Sequence, residues 1–181
     1  PPGPDQQQAL ASLQEEALRA GAVLQHLLAL ARASRAEMDE AAQPLDLAAL
    51  AQQVVAASAP RADEGGRELG LDSKGPFVLT GHAVLLELAL RNLVDNALAH
   101  TPPGTHVTVA LDNGARWLQV EDDGPAREAA HGGQRPADHL GLGLGHKVVA
   151  QVAALHGAVF ETELDAGGGR RRYRIRFPAS A

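Results

Sequence analysis

Between Asp5 and about Met38 the apolar residues Leu10, Leu13, Ala17, Ala20, Leu24, Leu27 and Ala31 step by three and four in alternation. That is the seam of a helix that packs on other helices. Asp5 is the expected N-cap, and Gly21 weakens the helix by roughly 1 kcal/mol relative to Ala. An amphipathic helix folded onto its own domain would carry a similar stripe, but the regular heptad step favours a bundle helix that needs a partner. The pattern breaks at Gln43-Pro44, where a domain boundary is placed, giving a bundle-helix segment 1–42 and a globular domain 43–181.

Past the boundary, Leu45-Asp46-Leu47 reads as a short strand and Ala48 to about Ala62 as a helix stopped by Gly65-Gly66. Glu68–Asp72 and Phe77–Thr80 are short strand candidates. Ala83–Ala99 is a strong helix ended by Thr101-Pro102-Pro103-Gly104. His106–Leu111 alternates, Asp112-Asn113-Gly114 turns, and Arg116–Asp122 returns as the second arm of a hairpin. Residues 123–140 read as loop. A helix is expected from about Gly145 to His156, with Val148, Val149, Val152 and Leu155 at helical spacing and Gly157 as C-cap. Strands Val159–Leu164 and Tyr173–Phe177 close the chain. The order predicts an α+β fold, a two-layer sandwich with a mixed sheet covered on one face by helices, preceded by the long bundle helix.

Composition narrows the function classes. The 181 residues are 45% hydrophobic, enough for one packed domain and an extra element. Net charge is −6 with both signs spread along the chain, and no half forms a basic patch, so a nucleic-acid partner is not expected. The absence of cysteine excludes disulfides and thiolate metal sites. No run approaches the roughly 18 apolar residues of a membrane span, so this portion is expected to be soluble. Pro1-Pro2-Gly3-Pro4 is a poor start for a fold, and the chain is expected to be a piece of a longer protein.

Three stretches carry candidate chemistry. In the 83–99 helix, Leu86, Leu90, Leu93 and Ala97 form the core stripe, while Asn92 and Asn96 lie one above the other at its edge. Amides at that spacing can line a pocket and offer oxygens to a hard cation, though alone they read equally as surface asparagines. On the returning strand, Leu118, Val120 and Asp122 share a face, so an acid ends an apolar row just before Gly124-Pro125. A carboxylate there is costly unless something donates to it, as an adenine amino group would. A turn-forming Asp is the plainer alternative. Lastly, Gly141-Leu142-Gly143-Leu144-Gly145-His146 runs into a helix. Its glycines permit close backbone approach, and a helix start favours phosphate. The run matches neither a dinucleotide fingerprint nor a Walker loop, and alone it is a weak motif.

Order and spacing together resemble the ATP-binding catalytic domain of bacterial sensor histidine kinases, in the superfamily that includes gyrase and chaperone ATPases. Asn92–Ala97 looks like the family's N box, Asp122–Gly124 its first Gly box and Gly141–Gly145 its second. Leu155-His156-Gly157 and Gln43-Pro44-Leu45-Asp46-Leu47 also sit where the family has similar residues, so the likeness covers about residues 44–177. The first 40 residues resemble the second helix of the family's dimerisation bundle. The resemblance implies a protein-histidine kinase that uses ATP and Mg²⁺. It would phosphorylate a bundle histidine outside this chain and pass the group to a response-regulator aspartate. The parent would be a homodimeric inner-membrane sensor with this portion in the cytoplasm.

By the same resemblance, Asn96 would ligand Mg²⁺ between the phosphates with Asn92 beside it, and Asp122 would accept from the adenine amine. Gly124, Gly141, Leu142, Gly143, Leu144 and Gly145 would complete the nucleotide site and its lid. Where related ATPases carry a general-base glutamate, Asn92 cannot activate water, which suits transfer to histidine. The chain departs from the family at Ala99, where a Lys or Arg is usual, and at Ala126, where a second glycine is usual. No F box is recognisable between Gly124 and Gly141, and no acceptor-histidine motif occurs. His26 lacks that motif's context. His131, His139 and His146 fit no standard metal spacing and read as solvated loop histidines. The departures keep an alternative open, a degenerate non-catalytic module of the same fold used for dimerisation or regulator docking. A superfamily kinase acting on serine is disfavoured by the heptad helix.

Overall fold

A computed structural model describes residues 42–124, 142–164 and 170–179. The expected heptad helix, and the expected loop beyond Gly124, lie outside them. The described elements are β1 (Gln43–Asp46), α1 (Leu47–Glu64), β2 (Glu68–Ser73), β3 (Val78–Gly81), α2 (Ala83–His100), β4 (His106–Asp112), β5 (Trp117–Asp122), α3 (Leu142–Leu155), β6 (Val159–Leu164) and β7 (Arg171–Arg176). β2, β4, β5, β7 and β6 form one five-stranded sheet in that order. It is mixed, because β2 pairs with β4 in parallel while every other pairing in it is antiparallel.

The expected α+β sandwich is present, and burial explains why. Val107, Val109 and Leu111 of β4, Leu118 and Val120 of β5, and Tyr173 and Ile175 of β7 line one sheet face. Leu86, Leu90, Leu93 and Ala97 of α2 and Val148, Val149 and Val152 of α3 complete that core. Fully burying leucines and valines of this kind stabilises by about 1.5–3 kcal/mol each. The other face carries a charged lattice, with Arg172 bridging Glu121 and Glu163 and Arg176 paired to Glu161. Such half-exposed pairs contribute little individually; their role is to keep that face in water.

Several boundaries differ from those expected. The first strand is Gln43–Asp46, and Leu47 is already helical. Asp46 is the N-cap of α1: its Oδ1 accepts from Ala48 N–H at 3.0 Å and from Phe77 N–H at 2.9 Å. One carboxylate thus starts the helix and anchors the chain entering β3. β1 pairs with β3 in a separate two-stranded sheet, Gln43 opposite Gly81. α1 continues to Glu64 through Pro60, although an interior proline removes a helix hydrogen bond. Its buried stripe of Leu47, Ala51, Val54, Ser58 and Ala62 holds it in place.

Helix ends follow the glycine and threonine signals. Gly66 at φ 65° and Gly157 at φ 62° take the left-handed conformation just past α1 and α3. α2 stops at His100, with Thr101 Oγ1 donating to Ala97 O at 2.7 Å and Arg67 Nε donating to Thr101 O at 2.8 Å.

Candidate functional site

α2 brings the two amides to the position expected. Asn92, Asn96 and His100 form a half-buried stripe beside the buried Leu93, Ala97 and Val94. Asn92 Nδ2 donates to Leu88 O at 2.8 Å, one turn back on its own helix. Asn96 Nδ2 lies 3.2 Å from His146 Nε2, across the α2–α3 contact. An amide nitrogen can only donate, so this contact requires Nε2 to accept, which is the tautomer with the imidazole proton on Nδ1.

His146 is therefore not a solvated loop histidine. It lies in α3, half-buried, with its ring 4.9 Å from Tyr173 and 5.7 Å from Phe160, centroid to centroid. Burial depresses its pKa, and nearby His100 adds to the effect. Its cover comes from strands well downstream in the sequence; His131 and His139 lie outside the described residues.

Asp122 ends the apolar row of β5 as expected and is only 2% exposed. Its strand neighbours in register are Val107 and Arg171. Its Oδ1 has no hydrogen-bond partner, the only such buried side-chain atom among the described residues. Burial raises the Asp122 pKa, while Arg171 and the Gly124 N–H pull it down and Asp123 and Glu121 add to the rise. A buried carboxylate oxygen with nothing donating to it costs free energy that the fold must offset. What it can take is an N–H donor.

Gly124 seals this corner. A Cβ built there would lie 3.2 Å from Asp122 Oδ1 and 3.3 Å from both Thr101 Cγ2 and Thr105 Oγ1. Both threonines are buried, and Thr101 is tied to Ala97, the neighbour of Asn96. The Asn pair, Asp122, Gly124 and the first turns of α3 thus converge on one end of the α2–α3 layer.

The glycine run is not a turn leading into a helix from about Gly145: α3 begins at Leu142, with Gly143, Leu144 and Gly145 already helical. The glycines cost helix stability of about 1 kcal/mol each, but the first-turn amides lack intrahelical partners in any case. Gly141 and Ala126 lie outside the described residues. Ala99 is exposed on α2.

A second histidine contact went unforeseen. His156 Nε2 accepts from His82 N–H at 3.0 Å, and His156 Nδ1 donates to Val152 O at 2.7 Å. A Cβ on Gly81 would fall 2.7 Å from the His156 ring, so a larger residue there would have to displace a ring held by both bonds. Burial lowers the His156 pKa below the usual 6.5; its bond to Val152 opposes this and His82 adds to it. A depressed folded pKa means stability is fully present above the unfolded value and is lost as pH falls through the folded one. Wild-type protein is therefore expected to lose more thermal stability than His156→Asn between about pH 7.5 and 5.5. Equal losses in calorimetric melts would contradict this reading of the contact.

The sequence pattern of the histidine kinase-, DNA gyrase B-, and HSP90-like ATPases matches residues 81–181, and the chain belongs to that family. Within it the similarity is to sensor kinases. Sensor protein IrlS of Burkholderia pseudomallei is 29% identical over 180 residues, covering 92% of this chain and 38% of IrlS. Sensor protein QseC of Salmonella typhi is 38% identical over 100 residues, covering 51% of this chain and 22% of QseC. The solved cytoplasmic segment of histidine kinase QseC superposes with a TM-score of 0.65 at 27% identity, covering 88% of this chain and 93% of that one. The chain spans well under half the length of these curated relatives. No helix among the described residues is long and apolar enough to cross a membrane.

Proposed function

We propose that residues 43–181 bind Mg-ATP as the catalytic domain of a two-component sensor histidine kinase, with residues 1–42 supplying one helix of a dimerisation bundle. The observation that carries this reading is Asp122 Oδ1, buried and unpartnered at the end of the β5 apolar row. An adenine amino group supplies the missing donor. Asn96 offers an amide oxygen, the hard ligand Mg²⁺ prefers. Among the described residues no group of three or more His, Cys, Asp or Glu could hold a metal ion, so the cation would be shared between Asn96 and the nucleotide phosphates. When bound, it would neutralise charge on the transferring phosphoryl group. Asn92 lies one turn away and has no carboxylate with which to activate water. Gly124, and Gly141 to Gly145 with Leu142 and Leu144 between, would admit the nucleotide to close backbone contact.

In the parent protein, the γ-phosphoryl group would move to a bundle histidine nitrogen, which loses its proton as ADP departs, and then to a response-regulator aspartate. A parent dimer anchored in the inner membrane, with this portion in the cytoplasm, belongs to the same reading. The degenerate-module alternative is not favoured, because the relatives are sensor kinases and the unpartnered Asp122 Oδ1 still calls for a donor. Calorimetric titration with ATP, with and without Mg²⁺, tests the proposal, and no binding in either condition would refute it. Because no acceptor-histidine motif occurs in the sequence, the chain alone is not expected to label itself from radioactive ATP. Acid-labile, alkali-stable label would contradict that and point to His26.

A further inference from the structure

We propose that His146 is a positioning residue that fixes which end of the Asn96 amide is presented to the metal. This rests on the reading of Asn96 as a Mg²⁺ ligand. The two ends of an asparagine amide are nearly equal in size and opposite in chemistry: Oδ1 can ligate a cation, and the Nδ2 amino group cannot. Nothing in the side chain itself chooses between two orientations that differ by a half-turn of the terminal torsion. A neighbour that can only accept, or only donate, makes the choice.

His146 is that neighbour. Its Nε2 lies 3.2 Å from Asn96 Nδ2, and an acceptor nitrogen at this spot holds the amino group and turns Oδ1 away from the ring. The ring is itself held. Tyr173 of β7 lies 4.9 Å away at 41° and Phe160 of β6 lies 5.7 Å away at 50°, so packing from two strands sets its plane. The arrangement follows the general logic of metal sites, in which a partner behind the ligand orients it and losing that partner typically weakens metal binding about 10- to 100-fold. The contact also spans α2 and α3, which ties the amide to the helix whose glycine-bearing first turn borders the same corner.

The experiment compares the ratio of ATP dissociation constants without and with Mg²⁺ in the wild-type chain, His146→Leu and His146→Gln. Leucine preserves apolar packing against Phe160 and Tyr173 but offers no acceptor. Glutamine restores an acceptor oxygen. The ratio is expected to fall by about tenfold or more in His146→Leu and to stay within about threefold of wild type in His146→Gln. Independently of any ligand, nitrogen NMR of the wild-type imidazole should find Nε2 unprotonated and Nδ1 carrying the proton. A protonated Nε2 in the neutral ring, an unchanged ratio in His146→Leu, or an equal fall in both variants would overturn the proposal while leaving Asn96 as the ligand. A wild-type chain whose ATP affinity ignores Mg²⁺ would overturn the site reading itself, and this inference with it.

Discussion

Asp122→Asn is expected to weaken ATP and ADP alike by about 10- to 100-fold, and also to make the nucleotide-free domain more stable at neutral pH. The first effect follows from the value of a hydrogen bond to a charged acceptor, about 1.5–3 kcal/mol, with each 1.4 kcal/mol worth about tenfold. Asparagine keeps the shape but can turn a donor toward the adenine amine, so donor meets donor. Both nucleotides share the adenine, and both should suffer equally. Calorimetry giving wild-type affinity for either would remove Asp122 from the site.

The stability gain has the opposite sign for the same reason. The Asp122 pKa is raised above the usual 3.8, chiefly by burial, so folding favours the neutral acid relative to the unfolded chain. Stability from that preference is fully present below the unfolded pKa and is lost as pH rises through the folded one. Above the folded pKa the buried carboxylate is charged and only partly satisfied, and the neutral amide relieves that cost. The advantage of Asp122→Asn in thermal melts should therefore shrink as pH falls toward 3.8. A variant less stable than wild type at neutral pH would show that Arg171 and the Gly124 N–H outweigh burial. A gain in stability together with a loss of nucleotide affinity is the outcome expected if Asp122 is a binding residue.

Most of the architecture was legible because its signals are local. The periodicity of α2 placed Asn92 and Asn96 on one edge, and the alternation of β5 put Asp122 at the end of an apolar row. Glycines marked the ends of α1 and α3. What escaped depends on residues distant in sequence. His146 reads as solvated in the sequence because its cover, Phe160 and Tyr173, arrives on β6 and β7. The second bond of Asp46 required Phe77 to come alongside, and the close packing at Gly81 required the His156 ring. The start of α3 was misplaced because propensity counts against glycine, while packing of Val148, Val149 and Val152 decides where the helix runs. The Asp46 cap did leave a signal in an acid directly before the Leu47-Ala48-Ala49-Leu50 pattern; His146 left none.

Asn96→Ala is expected to abolish the Mg²⁺ enhancement of ATP binding while leaving adenosine affinity close to wild type. The side chain sits at the edge of α2, half-buried, so truncation removes little apolar packing, and alanine is the better helix former. The fold should survive. What disappears is the amide oxygen proposed for the metal, with no cluster of carboxylates or histidines among the described residues to replace it. Loss of a ligand from a hard-cation site should cost at least as much as loss of the residue behind it, about 10- to 100-fold in metal-dependent affinity. The proposed adenine contact is made by a different side chain, Asp122 at the end of β5, and is untouched by the change. Asn96→Ala and Asp122→Asn should therefore separate, one acting only when Mg²⁺ is present and the other acting with or without it. Calorimetric titrations of both variants with adenosine, ADP and ATP, each with and without Mg²⁺, make the comparison. If Asn96→Ala retained the full Mg²⁺ effect, the metal would have to be held elsewhere and the amide would be an ordinary helix-edge asparagine.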